Sequence, residues 1–222
     1  MAEIWQITGL TVTMAAIATL VTLPVGLLLA WILARARFPG RILLETLVSM
    51  PLVMPPVATG LLLLMLLAPR GPIGGPLDRL GVDIVFTRKA VVIAMAVMGL
   101  PLLVRTARAG FEQVDRRYES VAATLGARPF RVFITITLPL AIPAVAAGAM
   151  LTFARAVGEF GATMMIAGSI PGSTRTLAVA IYSFAETGRD AEAAQLVAVS
   201  AVLALLALWV SNRIAARAGV RA

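Results

Sequence analysis

Long uncharged stretches separated by short basic segments set the pattern of this chain. The first, ITGLTVTMAAIATLVTLPVGLLLAWILA, covers residues 7 to 34. At about 1.5 Å of helical rise per residue it can cross a hydrocarbon core of about 30 Å. The preceding MAEIWQ carries no lysine or arginine, and the run is too long for the core of a cleaved signal peptide. RARFPGR follows, then a second apolar stretch over 42 to 68, interrupted by Pro51, Pro55 and Pro56. Prolines are tolerated in membrane helices where neighbouring groups satisfy the freed backbone. PRGPIGGPLDRLGVDIVFTRK reads as an exposed loop, and a third span is expected over 90 to 107.

A compact polar stretch, 112 to 135, comes next, and the chain then returns to hydrocarbon from about Ile136 to residue 168. That segment is longer than one crossing needs, and GEFG at 158 to 161 offers a break. TLAVAIYSFAET is too short to span and reads as interfacial or re-entrant; the last span covers 193 to 211. The pattern therefore predicts an all-α, polytopic membrane protein with five transmembrane helices in a single domain.

Composition agrees. Charged residues make up 14% of the 222 positions and mean hydropathy is +0.95, against about 25% charge in an ordinary soluble domain. The bilayer is the expected solvent. With neither cysteine nor histidine, the chain lacks a thiol nucleophile, a disulfide framework and the commonest general base. Its single lysine, Lys89, follows Arg88, so no phosphate-cradling glycine-rich loop ending in lysine exists, and no cofactor is expected. A net charge of +8 fits membrane topology better than nucleic acid, since the arginines flank apolar runs. With the N-terminus outside, twelve lysines and arginines fall on inner segments, among them Arg217 and Arg221 of the tail, and six on outer ones. That bias predicts an N-out, C-in chain.

The polar stretch has its own grammar. Asp115 is placed to cap a helix opening at Arg116. Gly126 suits the left-handed position beyond its end, with Pro129 three residues on. Between them Tyr118, Val121, Ala122 and Leu125 share one face. Such a helix lies on the membrane surface or inserts into a cytoplasmic partner; pattern alone leaves both open. Inside the fourth span Arg155 and Glu159 stand four apart, as a structural ion pair or as groups that help an anion pass a gate with Gly158 and Gly161. Glu45 reads as a snorkelling or capping group at the inner interface. Trp5, Trp31 and Trp209 read as interface anchors, and the methionines as packing filler.

The stretch YESVAATLGARPFRVFITITLPLA resembles the coupling loop of permease subunits of ATP-binding-cassette importers. The matching positions are Glu119, Ala122, Ala123, Leu125, Gly126, Ile136, Leu138 and Pro139; Glu119 stands seven residues before the glycine, where many members have it six before. Five further segments, LARARFPGR, SMPLVMPPVATGLLLL, GFEQVDRRYESVAATLGA, GEFGATMMIAGSIPGSTRTLAVAIYS and the final span, look like the molybdate-importer permeases. The resemblance implies a five-helix type I importer core in a bacterial inner membrane, working as a homodimer surrounded by lipid. Partners would be two cytoplasmic ATPases, which bind the ATP, and a periplasmic oxyanion-binding protein. Tungstate or sulfate and thiosulfate permeases are the rivals within this class. A membrane-embedded enzyme and a non-transporting adaptor are the rivals outside it.

Overall fold

The computed structural model describes residues 2–217, so Arg221 lies outside the described residues. Among them every regular element is a helix. Helix α1 (Ala2–Arg35) is followed by α2 (Arg41–Val53), α3 (Pro56–Leu67) and the short α4 (Gly74–Arg79). Then come α5 (Arg88–Gln113), α6 (Arg116–Thr124) and α7 (Pro129–Val132). A π turn, Phe133–Thr137, joins α7 to α8 (Leu138–Val157), and α9 (Gly161–Ala167), α10 (Leu177–Glu186) and α11 (Asp190–Arg217) complete the chain.

Four continuous helical rods are long and apolar enough to cross a membrane: Ala2–Arg35, Arg88–Gln113, Pro129–Val157 and Asp190–Ile214. The second apolar stretch differs from a straight span. It forms α2 and α3, whose axes turn through 114° at Met54–Pro55. Pro55 and Pro56 lack the N–H groups that would continue α2, so the helix stops and α3 restarts with proline in its first turn, where none is needed. The pair makes a fifth crossing if it is counted as one broken span.

Helices α1 and α8 pack on α5 through small side chains. Ala15, Ala18, Ala90, Val91, Ala94, Met95 and Ala156 are fully buried towards one end, and Ala30, Leu33, Ala107 and Phe111 towards the other. Small residues let helix backbones approach where lipid supplies no hydrophobic drive between helices. Gly99 and Gly110 mark close approaches of α5 to α8: a Cβ at Gly99 would sit 2.6 Å from Thr152 Cγ2, and one at Gly110 would collide with Ala144 Cβ. Methionine fills gaps in this packing at Met14, Met95 and Met98, while Met50 and Met65 face outward.

Four buried threonines of α1 hide their hydroxyls in the helix itself. Thr8, Thr11, Thr19 and Thr22 each donate to the carbonyl four residues back, at 2.7–2.8 Å. Thr11 Oγ1 also accepts the Leu177 N–H at 2.8 Å, which fixes the first turn of α10 against α1. That short helix buries Leu177, Val179, Ala180 and Phe184. The remaining surface is strongly apolar, with Leu20, Val21, Val25 and Leu28 of α1 and Leu205 and Leu206 of α11 exposed, as a lipid-facing belt requires. Trp5 and Trp209 are exposed. Trp31 is not a free anchor: it packs on Phe133, ring centroids 5.2 Å apart.

One end of the bundle is basic. Arg35, Arg37, Arg41 and Arg116 surround a cleft of about 270 Å³, with Glu112 as its acidic member.

Candidate functional site: a surface helix at the basic end and a break at the other

The polar stretch folds as its local grammar predicts. Asp115 has an extended backbone, and its carboxylate accepts the Arg117 N–H at 2.9 Å, opening α6. Three turns later Gly126 adopts φ +81°. No atom lies within 4 Å of where a Cβ would stand, so backbone conformation alone calls for glycine there. Ala127 N–H closes the turn on the Ala122 carbonyl, and Pro129 starts α7 at its first position.

The two faces of α6 do different things. Inward, Glu119 is the anchor. Its Oε1 accepts Thr137 Oγ1–H at 2.6 Å and Arg35 Nε–H at 3.1 Å, with Arg35 Nη2 at 2.9 Å. Arg35 Nη2 also donates to the Val114 carbonyl at 3.0 Å, just ahead of the Asp115 cap. Three separate elements, the end of α1, the surface helix and the π turn, are thus tied at one carboxylate. Charge-assisted hydrogen bonds of this kind are stronger than neutral ones, and these are mostly screened from water.

Outward, the apolar face of α6 is bare. Tyr118, Val121 and Leu125 are exposed, Leu125 at 83%, and Phe130 of α7 joins them at 75%. With half-buried Ala122, and with Ile136, Pro139 and Leu140 from the rod beyond, Tyr118, Val121 and Leu125 line an open groove of about 770 Å³. Ala123 lies exposed on the same helix, and Leu138 is half-buried against the core. Among the described residues the helix does not bury its apolar face.

The second set of candidate residues sits at the far end of α8, about 30 Å away by helix length. Helix α8 ends at Val157, with Gly158 exposed beyond it. Glu159 is 1% exposed. Its Oε2 lies 2.6 Å from Arg155 Nη1 in an ion pair, so the pair forms across the end of the helix rather than along an unbroken one. Its Oε1 accepts the Ala162 N–H at 2.8 Å and so caps the first turn of α9. The carboxylate joins the broken ends.

Helix α9 packs tightly on α3. A Cβ at Gly60 would be 2.7 Å from Ala162 Cα, and one at Gly161 2.8 Å from Pro56 Cβ. Both broken segments therefore restart against each other. Thr59 and Thr163, buried on α3 and α9, carry hydroxyls without a hydrogen-bond partner among the described residues. Arg155, Gly158, Glu159 and Gly161 are thus gathered at this break, whereas Glu119, Ala122, Ala123, Leu125, Gly126, Leu138 and Pro139 gather at the basic end. Sequence reading missed the Arg35–Glu119–Thr137 knot, whose partners lie 84 and 18 residues apart, and the glycine-mediated α3–α9 contact. No local spacing signals either one.

Glu45, expected at an interface, pairs with Arg108 of α5 at 2.7 Å, and Arg108 also holds Glu112 at 2.8 Å.

The chain is similar to known proteins over nearly its whole length. It is 44% identical over 213 residues to the molybdenum transport system permease protein ModB of Escherichia coli, covering 95% of this chain and 93% of that protein. It is 41% identical over 217 residues to the ModB of Haemophilus influenzae, covering 95% of each. In fold it matches the crystal structure of a bacterial alginate ABC transporter in complex with an alginate pentasaccharide-bound periplasmic protein. There the TM-score is 0.73 at 19% identity, over 96% of this chain and 78% of that one. A model of the binding-protein-dependent transport system inner membrane component matches residues 22–220. With its apolar rods, its restarted second and fourth segments and its exposed surface helix, this chain belongs to the family of binding-protein-dependent transport system inner membrane components.

Proposed function

We propose that this chain is the permease subunit of an ATP-driven importer that carries molybdate across a bacterial inner membrane. The similarity to molybdenum transport permeases over 95% of the chain supports the substrate. The single observation that carries the transport mechanism is the two-faced surface helix α6. It is tied inward by Glu119 and presents Tyr118, Val121 and Leu125 outward. An apolar face left bare beside a basic membrane edge fits a cytoplasmic ATPase, which binds and hydrolyses the ATP that this chain has no loop to hold. The basic cleft of Arg35, Arg37, Arg41 and Arg116 at the same end supports an N-out, C-in orientation.

The working unit is a homodimer with its pathway between subunits, fed by a periplasmic oxyanion-binding protein. ATP binding draws the two ATPases together and with them the two surface helices. The knot at Glu119 passes that movement to α1 and, through Thr137, to the α8 rod. At the other end of the rod, the seam between α3 and α9 parts or closes around the Arg155–Glu159 break. Alternating access then follows from a bistable bundle biased by ATP.

Elemental analysis of cells with and without the gene, grown on trace molybdate, tests the reading. The expected result is a sharp fall in cellular molybdenum that excess molybdate rescues, with sulfate uptake unchanged. Unchanged molybdenum, with tungstate or sulfate uptake lost instead, would assign the permease to one of those anions.

A further inference from the structure

Helix α2 carries a stripe that does not suit lipid. Ser49 follows Glu45 by four residues and Thr46 by three, and Val53 follows Ser49 by four, so the four share one face. Together with Met54 at the bend and Arg105 of α5 they line a groove of about 490 Å³. The neighbouring positions Leu43, Leu47 and Leu52 supply an ordinary apolar surface. A stripe holding a carboxylate, two hydroxyls and an arginine within apolar segments belongs against water or a polar partner.

The charges in the groove are layered. At its mouth Glu45 is bound to Arg108, which also holds Glu112. One turn further from the basic end stand Ser49 on α2 and Arg105 on α5. Arg105 is exposed and has no acidic partner within salt-bridge distance among the described residues. Ser49 makes no side-chain hydrogen bond among them, whereas Thr46 spends its hydroxyl hydrogen on the Ile42 carbonyl at 2.8 Å. Arg155, in the last turn of α8, is by contrast neutralised by Glu159. Arg105 is therefore a cation within the α5 rod with its donors unspent, beside a free hydroxyl, in a groove that opens at the bend of the broken α2–α3 segment.

Resting on the permease reading above, we propose that this groove is the inner vestibule of the transport path. Arg105 and Ser49 form a transient site there for a tetrahedral oxyanion leaving the membrane. The arginine attracts the dianion electrostatically, and the serine offers one hydrogen bond. Glu45, itself held by Arg108, places a carboxylate at the mouth that keeps the anion from lodging. One cation and one hydroxyl bind weakly, as conduction requires.

The absence of cysteine from the chain allows a direct test. Ser49→Cys is introduced into the full transporter, assembled with its ATPase in lipid vesicles. Its modification by an anionic and by a cationic methanethiosulfonate reagent is followed by the mass of this chain. The expected result is labelling by both, with the anionic reagent favoured, and a fall of about tenfold in the anionic-to-cationic rate ratio on adding Arg105→Gln. Molybdate at millimolar concentration slows labelling by an uncharged reagent, and that protection is lost with Arg105→Gln. No labelling at Ser49→Cys, while Leu80→Cys on the exposed loop after α4 reacts, would mean a face sealed by lipid or by a second copy and would overturn the proposal. A rate ratio indifferent to Arg105→Gln would overturn it too. A complex that fails to import molybdate yet keeps the Arg105-dependent ratio would sink the molybdate reading alone and leave the anion vestibule standing.

Discussion

Glu119 and Arg35 meet at 2.9 Å between the surface helix and the end of α1, 84 residues apart in the chain. This contact makes α6 part of the bundle rather than a tether beside it. Glu119→Ala removes two accepted hydrogen bonds and an ion pair and leaves Arg35 without its carboxylate, at a cost of about 1.5–3 kcal/mol. The expected outcome is a lower apparent Tm and less uptake for each ATP hydrolysed, with the ATPase still bound. Arg35→Gln combined with Glu119→Gln should recover part of the stability lost by either charge deletion alone. Copurification, ATPase assays and melting curves on these variants decide it.

The outward face of α6 predicts the opposite phenotype. Leu125→Glu alters a side chain that is 83% exposed, so folding should change by no more than about 0.5 kcal/mol. Binding of the ATPase should be lost, and uptake with it. An affinity pull-down beside a melting curve separates these effects, and normal uptake by this variant would remove the groove from the mechanism.

Gly126 sits at φ +81° with open space around it, so its requirement is conformational. Gly126→Asn should be nearly silent and Gly126→Ala should cost about 1 kcal/mol. A bulky acidic residue there should abolish ATPase docking and uptake together. Copurification yields across this series report the ranking.

At the far break the carboxylate is the buried partner and the guanidinium the more exposed one. Arg155→Ala, which leaves Glu159 unpaired, should therefore destabilise more than Glu159→Gln, by about 3 kcal/mol against about 1 kcal/mol. Adding Glu159→Gln to Arg155→Ala should restore stability. Apparent Tm and membrane expression level are the readouts, and an inverted ranking would show that the cap on Ala162, rather than the pair, governs the site.

Gly60→Val forces a side chain into the backbone of α9, where Cβ would lie 2.7 Å from Ala162 Cα. Overpacking of this kind costs about 1–3 kcal/mol. The seam should part, with uptake falling although the ATPase binds normally.

How much of this was legible depended on distance along the chain. The Asp115 cap, the Gly126 turn and the restart at Pro129 are settled by neighbours within a few residues, and their side-chain chemistry announces them. The prolines at 51, 55 and 56 marked an interruption, but a proline says only where hydrogen bonding fails. The 114° turn that follows brings Gly60 against Ala162 and Pro56 against Gly161, residues more than a hundred positions apart. Arg155 and Glu159 were visible as a pair at four-residue spacing. GEFG at 158–161 marked the break between them, but the sequence did not reveal that Glu159 reaches forward to the Ala162 N–H. Glu119 was legible as a motif position and opaque as a contact, because its partners Arg35 and Thr137 come from elements that only the tertiary fold brings together.

The π turn at Phe133–Thr137 has a mechanical consequence. It lodges one surplus residue in the rod that leads from the surface helix to the far break. A surplus residue in a helix behaves like a dislocation in a crystal: it can glide by exchanging one hydrogen bond at a time, without melting the lattice on either side. Pro139 and Pro143, which donate no backbone hydrogen bond, stand just beyond it and leave soft rungs for such a step. A pull applied at Glu119 can then enter the rod as a shift of phase, a screw-like turn of α8, rather than as a rigid tilt.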